Sequence, residues 1–98
     1  MNRDDIIARL KDAQADLHKL GVRHVALFGS RARGDALPDS DTDLMIDIDP
    51  DMELSVFEYV RLKRTIADLF DGPVDVVDRA ALKEALGPPA EREAVYAF

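Results

Sequence analysis

Between Asp35 and Glu53 the chain carries eight acidic residues, Asp35, Asp39, Asp41, Asp43, Asp47, Asp49, Asp51 and Glu53, and no lysine or arginine. The middle of this stretch cannot be a solvated loop, because Leu44, Ile46 and Ile48 alternate with Asp43, Met45 and Asp47. Alternation at period two is the pattern of a strand with one buried face. Thr42 to Ile48 is therefore expected to be a strand, ended by Pro50. Asp41 and Asp43 then point to one side with Cα atoms about 6–7 Å apart, and Thr42 points to the other. Like charges fixed so close must be solvated, neutralised by a cation or endured as repulsion.

The elements around this strand follow from periodicity and punctuation. Asn2 and Asp5 resemble a capping box, and Ile6, Leu10, Ala13, Leu17 and Leu20 recur at helical spacing until Gly21. Val22 to Phe28 reads as an apolar strand. Gly29-Ser30 turns into one helical turn, Arg31 to Arg33, closed by Gly34, and Asp35 to Ser40 is a loop. Ser55 and Glu58 open a helix of about 16 residues. Its expected apolar stripe is Val56, Tyr59, Val60, Ile66, Leu69 and Phe70. Asp71-Gly72-Pro73 breaks it, and Val74 to Val77 is a third strand. Short helices are expected over Arg79 to Leu86 and Ala90 to Tyr96. The whole is one α/β domain, residues 1–98, on a small mixed three-stranded sheet in the order α-β-α-β-α-β-α.

The connections bring distant residues together. The short link between the first two strands favours an antiparallel pair, which sets Gly29 and Ser30 beside Asp41 and Asp43. The helix between the second and third strands permits a parallel, right-handed crossover, which sets Asp75 beside them too. Three carboxylates so placed can bracket a pair of Mg²⁺ ions about 3.5–4 Å apart. Gly29 allows close backbone approach to an anion, and the turn after it offers N–H groups to phosphate. Arg31 and Arg33 could add charge on a triphosphate. Asp47 reads as a solvated acid, His18 and His24 as structural residues, and Tyr59 and Tyr96 as packing residues.

Composition narrows the function. Ninety-eight residues with 47% hydrophobic and 34% charged composition suit one globular domain, with little surface left for a second substrate. A net charge of −7 disfavours a DNA or RNA partner. Cysteine is absent, which leaves no disulfide framework or thiolate metal site. With neither an apolar run of membrane length nor a signal-like opening, the expectation is a cytoplasmic protein with no membrane association.

The segment GSRARGDALPDSDTDL, Gly29 to Leu44, resembles the signature of the DNA polymerase β-like nucleotidyltransferase superfamily: Gly-Ser, ten residues, then Asp-x-Asp. The third carboxylate of that family matches Asp75 in Val74-Asp75-Val76-Val77. The chain is most similar to the minimal nucleotidyltransferase branch, small members of which pair with HEPN-domain toxins. The resemblance implies a nucleotidyltransferase fold with helices packed on one side of the sheet. It implies catalytic and Mg²⁺-binding roles for Asp41, Asp43 and Asp75, and nucleotide contacts from Gly29, Ser30, Arg31 and Arg33. It further implies transfer of AMP from ATP to a tyrosine of a HEPN toxin, within a hetero-oligomer in which this chain is the antitoxin. Two other readings stay open. One is an antitoxin that neutralises by binding alone. The other is transfer to a small molecule, as in aminoglycoside nucleotidyltransferases, which carry an extra helical domain.

Overall fold

Val22–Phe28 (β1) and Thr42–Ile48 (β2) form an antiparallel pair, with Val25 opposite Ile46, Leu27 opposite Leu44 and Phe28 opposite Asp43. The chain is described by a computed structural model over residues 2–37, 40–79 and 94–98. Val74–Asp78 (β3) runs parallel to β2 on its other side, as the crossover predicts. The remaining elements are helices Arg3–Asp12 (α1), Gln14–Lys19 (α2), Ser30–Arg33 (α3) and Val56–Ala67 (α4). No helix among the described residues is long and apolar enough to cross a membrane.

The caps at Asn2 and Ser55 form as their sequences predict: each side chain accepts from the backbone N–H three residues on, Asp5 at 2.9 Å and Glu58 at 3.2 Å. The single first helix is instead two. At Ala13 the N–H is shared between the carbonyls of Arg9 and Leu10, both at 3.2 Å, and the ladder restarts there. The apolar period survives this break, so Ile6, Leu10 and Leu17 are all buried. They pack with Val25, Leu27, Leu44, Ile46 and Val76 on the helix-covered face of the sheet.

Three expectations need correction. The sheet has four strands in the order β3-β2-β1-β4, because Val95–Tyr96 (β4) pairs antiparallel with β1 rather than ending a helix. Ala97 N–H donates to Val25 O at 2.8 Å. The free edge of β1 presents unpaired donors and acceptors, and a short apolar segment satisfies them better than a helix would. The expected helix over Arg79 to Leu86 falls almost entirely outside the described residues.

Met45, expected on the open face of β2, is buried. It packs with Ala26 against Phe28, Val77 and Ala94, so the second face of the sheet is partly covered. The stripe on α4 is as expected only in its second half: Ile66 and Phe70 are buried, joined by Leu62, while Val56 and Val60 face solvent. A helix lying on a sheet needs only one contact line, and the i, i+4 series Leu62, Ile66, Phe70 supplies it.

That corrected face makes a direct prediction. Leu62→Ala should cost about 2–5 kcal/mol of unfolding free energy, the usual range for a buried leucine. Phe57→Ala, on the exposed first turn, should change it by less than about 0.5 kcal/mol. Urea unfolding of the two variants decides between the faces; comparable losses would mean that Phe57 is part of the core.

Candidate active site

The register of the sheet builds the site. In the parallel pair, Thr42 stands beside Val74 and Asp43 beside Asp75. Thr42 N–H donates to Pro73 O at 3.0 Å and fastens the two strand starts together. Thr42 itself is buried among the core residues, so Asp43 and Asp75 project from the opposite face. Because Phe28 is opposite Asp43, Gly29 and Ser30 leave β1 beside the start of β2. Asp41, exposed, immediately precedes that start. Asp41, Asp43, Asp75, Gly29 and Ser30 thus meet at one end of the sheet.

The carboxylates sense one another. Burial pushes the Asp43 carboxyl above its ordinary range, and the charges of Asp75 and then Asp41 push it further. Arg33 pulls in the opposite direction, which places its guanidinium within electrostatic reach of the acids. Arg33 also pairs with Asp35, Nε to Oδ2 at 3.2 Å, in an exposed contact. Arg31 turns the other way: its Nη2 donates to Ser40 O at 2.8 Å. Arg31 therefore ties α3 to the residue before Asp41, a contact that the sequence did not reveal. Arg3 adds a second brace, Nη1 to Ala32 O at 3.2 Å.

Gly29 is required for a reason beyond anion approach. Its φ of 75° and ψ of −154° lie where side-chain-bearing residues are excluded. A Cβ there would stand 2.5 Å from Asp43 Oδ2. The turn and the carboxylate are pressed together, and only glycine leaves the acid its place. Ser30 follows at the head of the single turn α3, whose carbonyls of Gly29 and Ser30 accept from Arg33, Gly34 and Asp35.

The donor set suits Mg²⁺, which takes hard oxygen ligands and fills its remaining positions with water and phosphate. The backbone supplies the juxtaposition through the Asp43–Asp75 register. Among the described residues no three acids or histidines already converge closely enough to hold an ion. The two histidines lie elsewhere: His18 meets the Phe98 ring edge-on and His24 Nδ1 is 3.3 Å from Phe98 O. Asp47 is 3.9 Å from Arg79.

A family model for the nucleotidyltransferase domain matches residues 7–97, and the chain belongs to that family. It is of the minimal kind: a solved structure assigned as a minimal nucleotidyltransferase superposes with a TM-score of 0.76 at 30% identity, covering 97% of this chain and 95% of the other. The chain is 34% identical over 79 residues to Protein adenylyltransferase MntA of Thermococcus cleftensis, spanning 80% of this chain and 77% of the relative. A toxin–antitoxin crystal structure with AMP-PNP shares the fold, with a TM-score of 0.66 at 20% identity over 90% of this chain and 72% of the other. The chain is accordingly a nucleotidyltransferase enzyme.

Two predictions follow from the geometry. Gly29→Val displaces Asp43 as well as strains the turn, so it should weaken Mg²⁺-ATP binding more than Ser30→Ala, with both variants folded by circular dichroism. Loss of the Ser30 hydroxyl should cost about 0.5–1.5 kcal/mol, or about 1.5–3 if it contacts a charged phosphate. That is a span of roughly twofold to 150-fold in affinity. Equal, wild-type-like affinity in both would reduce the segment to a simple turn.

The second concerns pH. The Asp43 carboxyl ionises less readily in the folded protein than in the unfolded chain. The native state therefore loses stability as pH rises through the carboxylate range, and the loss is complete above the raised folded value. Without divalent cations, Asp43→Asn should melt at or above the wild-type temperature at pH 7. That advantage should vanish below the ordinary carboxylate range. A variant that is less stable than wild type at neutral pH and equal to it in acid would contradict this.

Proposed function

We propose that this site transfers AMP from ATP to a hydroxyl of a partner protein, a tyrosine of a HEPN-domain toxin, and that the chain acts as its antitoxin. The observation carrying the proposal is the meeting of the Gly29-Ser30 turn with Asp41, Asp43 and Asp75 at one sheet end. The relative from Thermococcus cleftensis is named a protein adenylyltransferase, and the toxin–antitoxin structure of the same fold holds an ATP analogue. The small surface of the domain, residues 1–98, supports an acceptor brought by another chain, in a cytoplasmic hetero-oligomer.

In this reading Asp41, Asp43 and Asp75 would hold two Mg²⁺ ions, which would neutralise charge on the phosphates and acidify the acceptor hydroxyl. Ser30 and the adjacent N–H groups clamp the β- and γ-phosphates, with Arg33 and Arg31 contributing positive charge nearby. The acceptor oxygen attacks the α-phosphorus, the bond to the bridging oxygen of the β-phosphate breaks, and pyrophosphate leaves. Asp75 takes the proton lost by the hydroxyl. Catalysis is positioning and electrostatics, since no covalent bond to the enzyme forms.

ATP labelled at the α-phosphate, with Mg²⁺ and a HEPN-domain protein that co-purifies with this chain, should label that protein, and γ-labelled ATP should not. Asp41→Asn, Asp43→Asn or Asp75→Asn should each abolish labelling while leaving the complex intact on a sizing column. If the triple variant neutralises the partner as well as wild type does, binding alone is the function.

A further inference from the structure

The first half of α4 leaves three large apolar residues in solvent: Val56 at 77%, Phe57 at 87% and Val60 at 51% exposure. The helix does not need them, because Leu62, Ile66 and Phe70 anchor it. Scattered exposed apolar side chains are ordinary, but three within five positions of one helix make a patch. Val56, Val60, Lys63 and Ala67 share one line along the helix at i, i+4, i+7 and i+11 spacing. That line borders a groove of about 380 Å³ between α4 and β3, lined by Val60, Lys63, Arg64, Ala67, Val74 and Asp75. The apolar patch thus runs through Val60 to Asp75 at the edge of β3, the residue whose carboxylate projects on the far face of the sheet.

The charge around the groove runs against the rest of the molecule. The chain has a net charge of −7, yet Arg61, Lys63 and Arg64 lie within four positions of one helix. The Lys63 ammonium rests 5.2 Å above the Tyr59 ring, at the rim of the patch.

The strand order gives the groove its meaning. Among the described residues β3 is an edge strand, so the groove flanks the acids on the side away from β1. The Gly29-Ser30 turn leaves β1, on the other side of β2. A phosphate clamp at that turn and a groove beyond β3 approach the acids from opposite flanks. An in-line displacement demands such opposition, with the leaving pyrophosphate on one side of the α-phosphorus and the attacking oxygen on the other.

We infer that the groove between α4 and β3 docks the acceptor: a protein segment whose apolar side chain covers Val56, Phe57 and Val60, whose acidic residues pair with Arg61, Lys63 and Arg64, and whose hydroxyl reaches Asp75. The inference rests on the nucleotidyl-transfer reading above. An apolar patch with three cations confined to one helix of an acidic chain favours a polypeptide over a nucleic acid, which needs a broader basic surface.

The test uses three defined acceptors at equal hydroxyl concentration: a random Glu-Ala-Tyr copolymer, a Lys-Tyr copolymer and a short RNA oligonucleotide. With α-labelled ATP and Mg²⁺, the acidic copolymer should be labelled at least about tenfold faster than the basic one, with the preference shrinking as salt is raised. Phe57→Ser with Val60→Ser, and Lys63→Glu with Arg64→Glu, should each lower that rate about tenfold. Calorimetry should find their Mg²⁺-ATP affinity within twofold of wild type, since none of the four residues faces the phosphate side. Equal labelling of the two polypeptides, labelling of RNA alone, variants that match wild type, or no labelling at all with ATP bound would each overturn the groove. So would a stable dimer in sedimentation that the Phe57→Ser, Val60→Ser variant dissolves. Failure of wild type to bind Mg²⁺-ATP is a different result, one that removes the nucleotidyltransferase site and the groove with it.

Discussion

The parallel pairing that sets Asp75 beside Asp43 is the constraint on which the molecule turns. It holds two carboxylates on neighbouring strands, with a third two residues upstream, in a place where burial already disfavours charge on Asp43. A sheet optimised for stability alone would not choose this arrangement. The fold supplies the restraint from its other face, where Thr42, Leu44, Ile46 and Val76 are sealed beneath α1, α2 and α4. A slip of one residue in either strand would bring the acids into that apolar layer. The register that protects the core is therefore the register that assembles the site.

Much of this could be read from the residues. Both central strands stand where alternation and β-branched composition place them, because a two-residue period leaves little freedom in assigning faces. The convergence of Gly29, Asp43 and Asp75 followed from loop length and crossover handedness, which are geometric rules independent of side-chain detail. Other features were hidden for identifiable reasons. On α4, Val56, Tyr59, Val60 and Leu62 offer overlapping apolar lines, and only the packed sheet selects the one through Leu62, Ile66 and Phe70. Val95 and Tyr96, expected at the end of a short helix, form a strand because β1 offers them an edge to pair with. Arg31 has no local signal for Ser40, since its role depends on how the loop returns.

The two flanks of the site are unlike. On the β1 side the turn is braced: Gly29 presses against Asp43, Arg31 holds Ser40, and Arg3 holds Ala32. On the β3 side the first turns of α4 leave Val56, Phe57 and Val60 exposed. In the nucleotidyl-transfer reading proposed above, the braced flank would receive the donor nucleotide and the other flank an acceptor that brings its own structure.

The pairing of Ala26 with Tyr96 and of Leu27 with Val95 has a temporal consequence. Without β4 the strand that leads into the Gly29 turn has one hydrogen-bonded neighbour instead of two. Contacts spanning such sequence distance form late, since the chain between them must first be ordered. The pairing of β1 with β4, the most sequence-distant in the sheet, is therefore expected to close late in folding, and the strand before the Gly29 turn to stiffen with it.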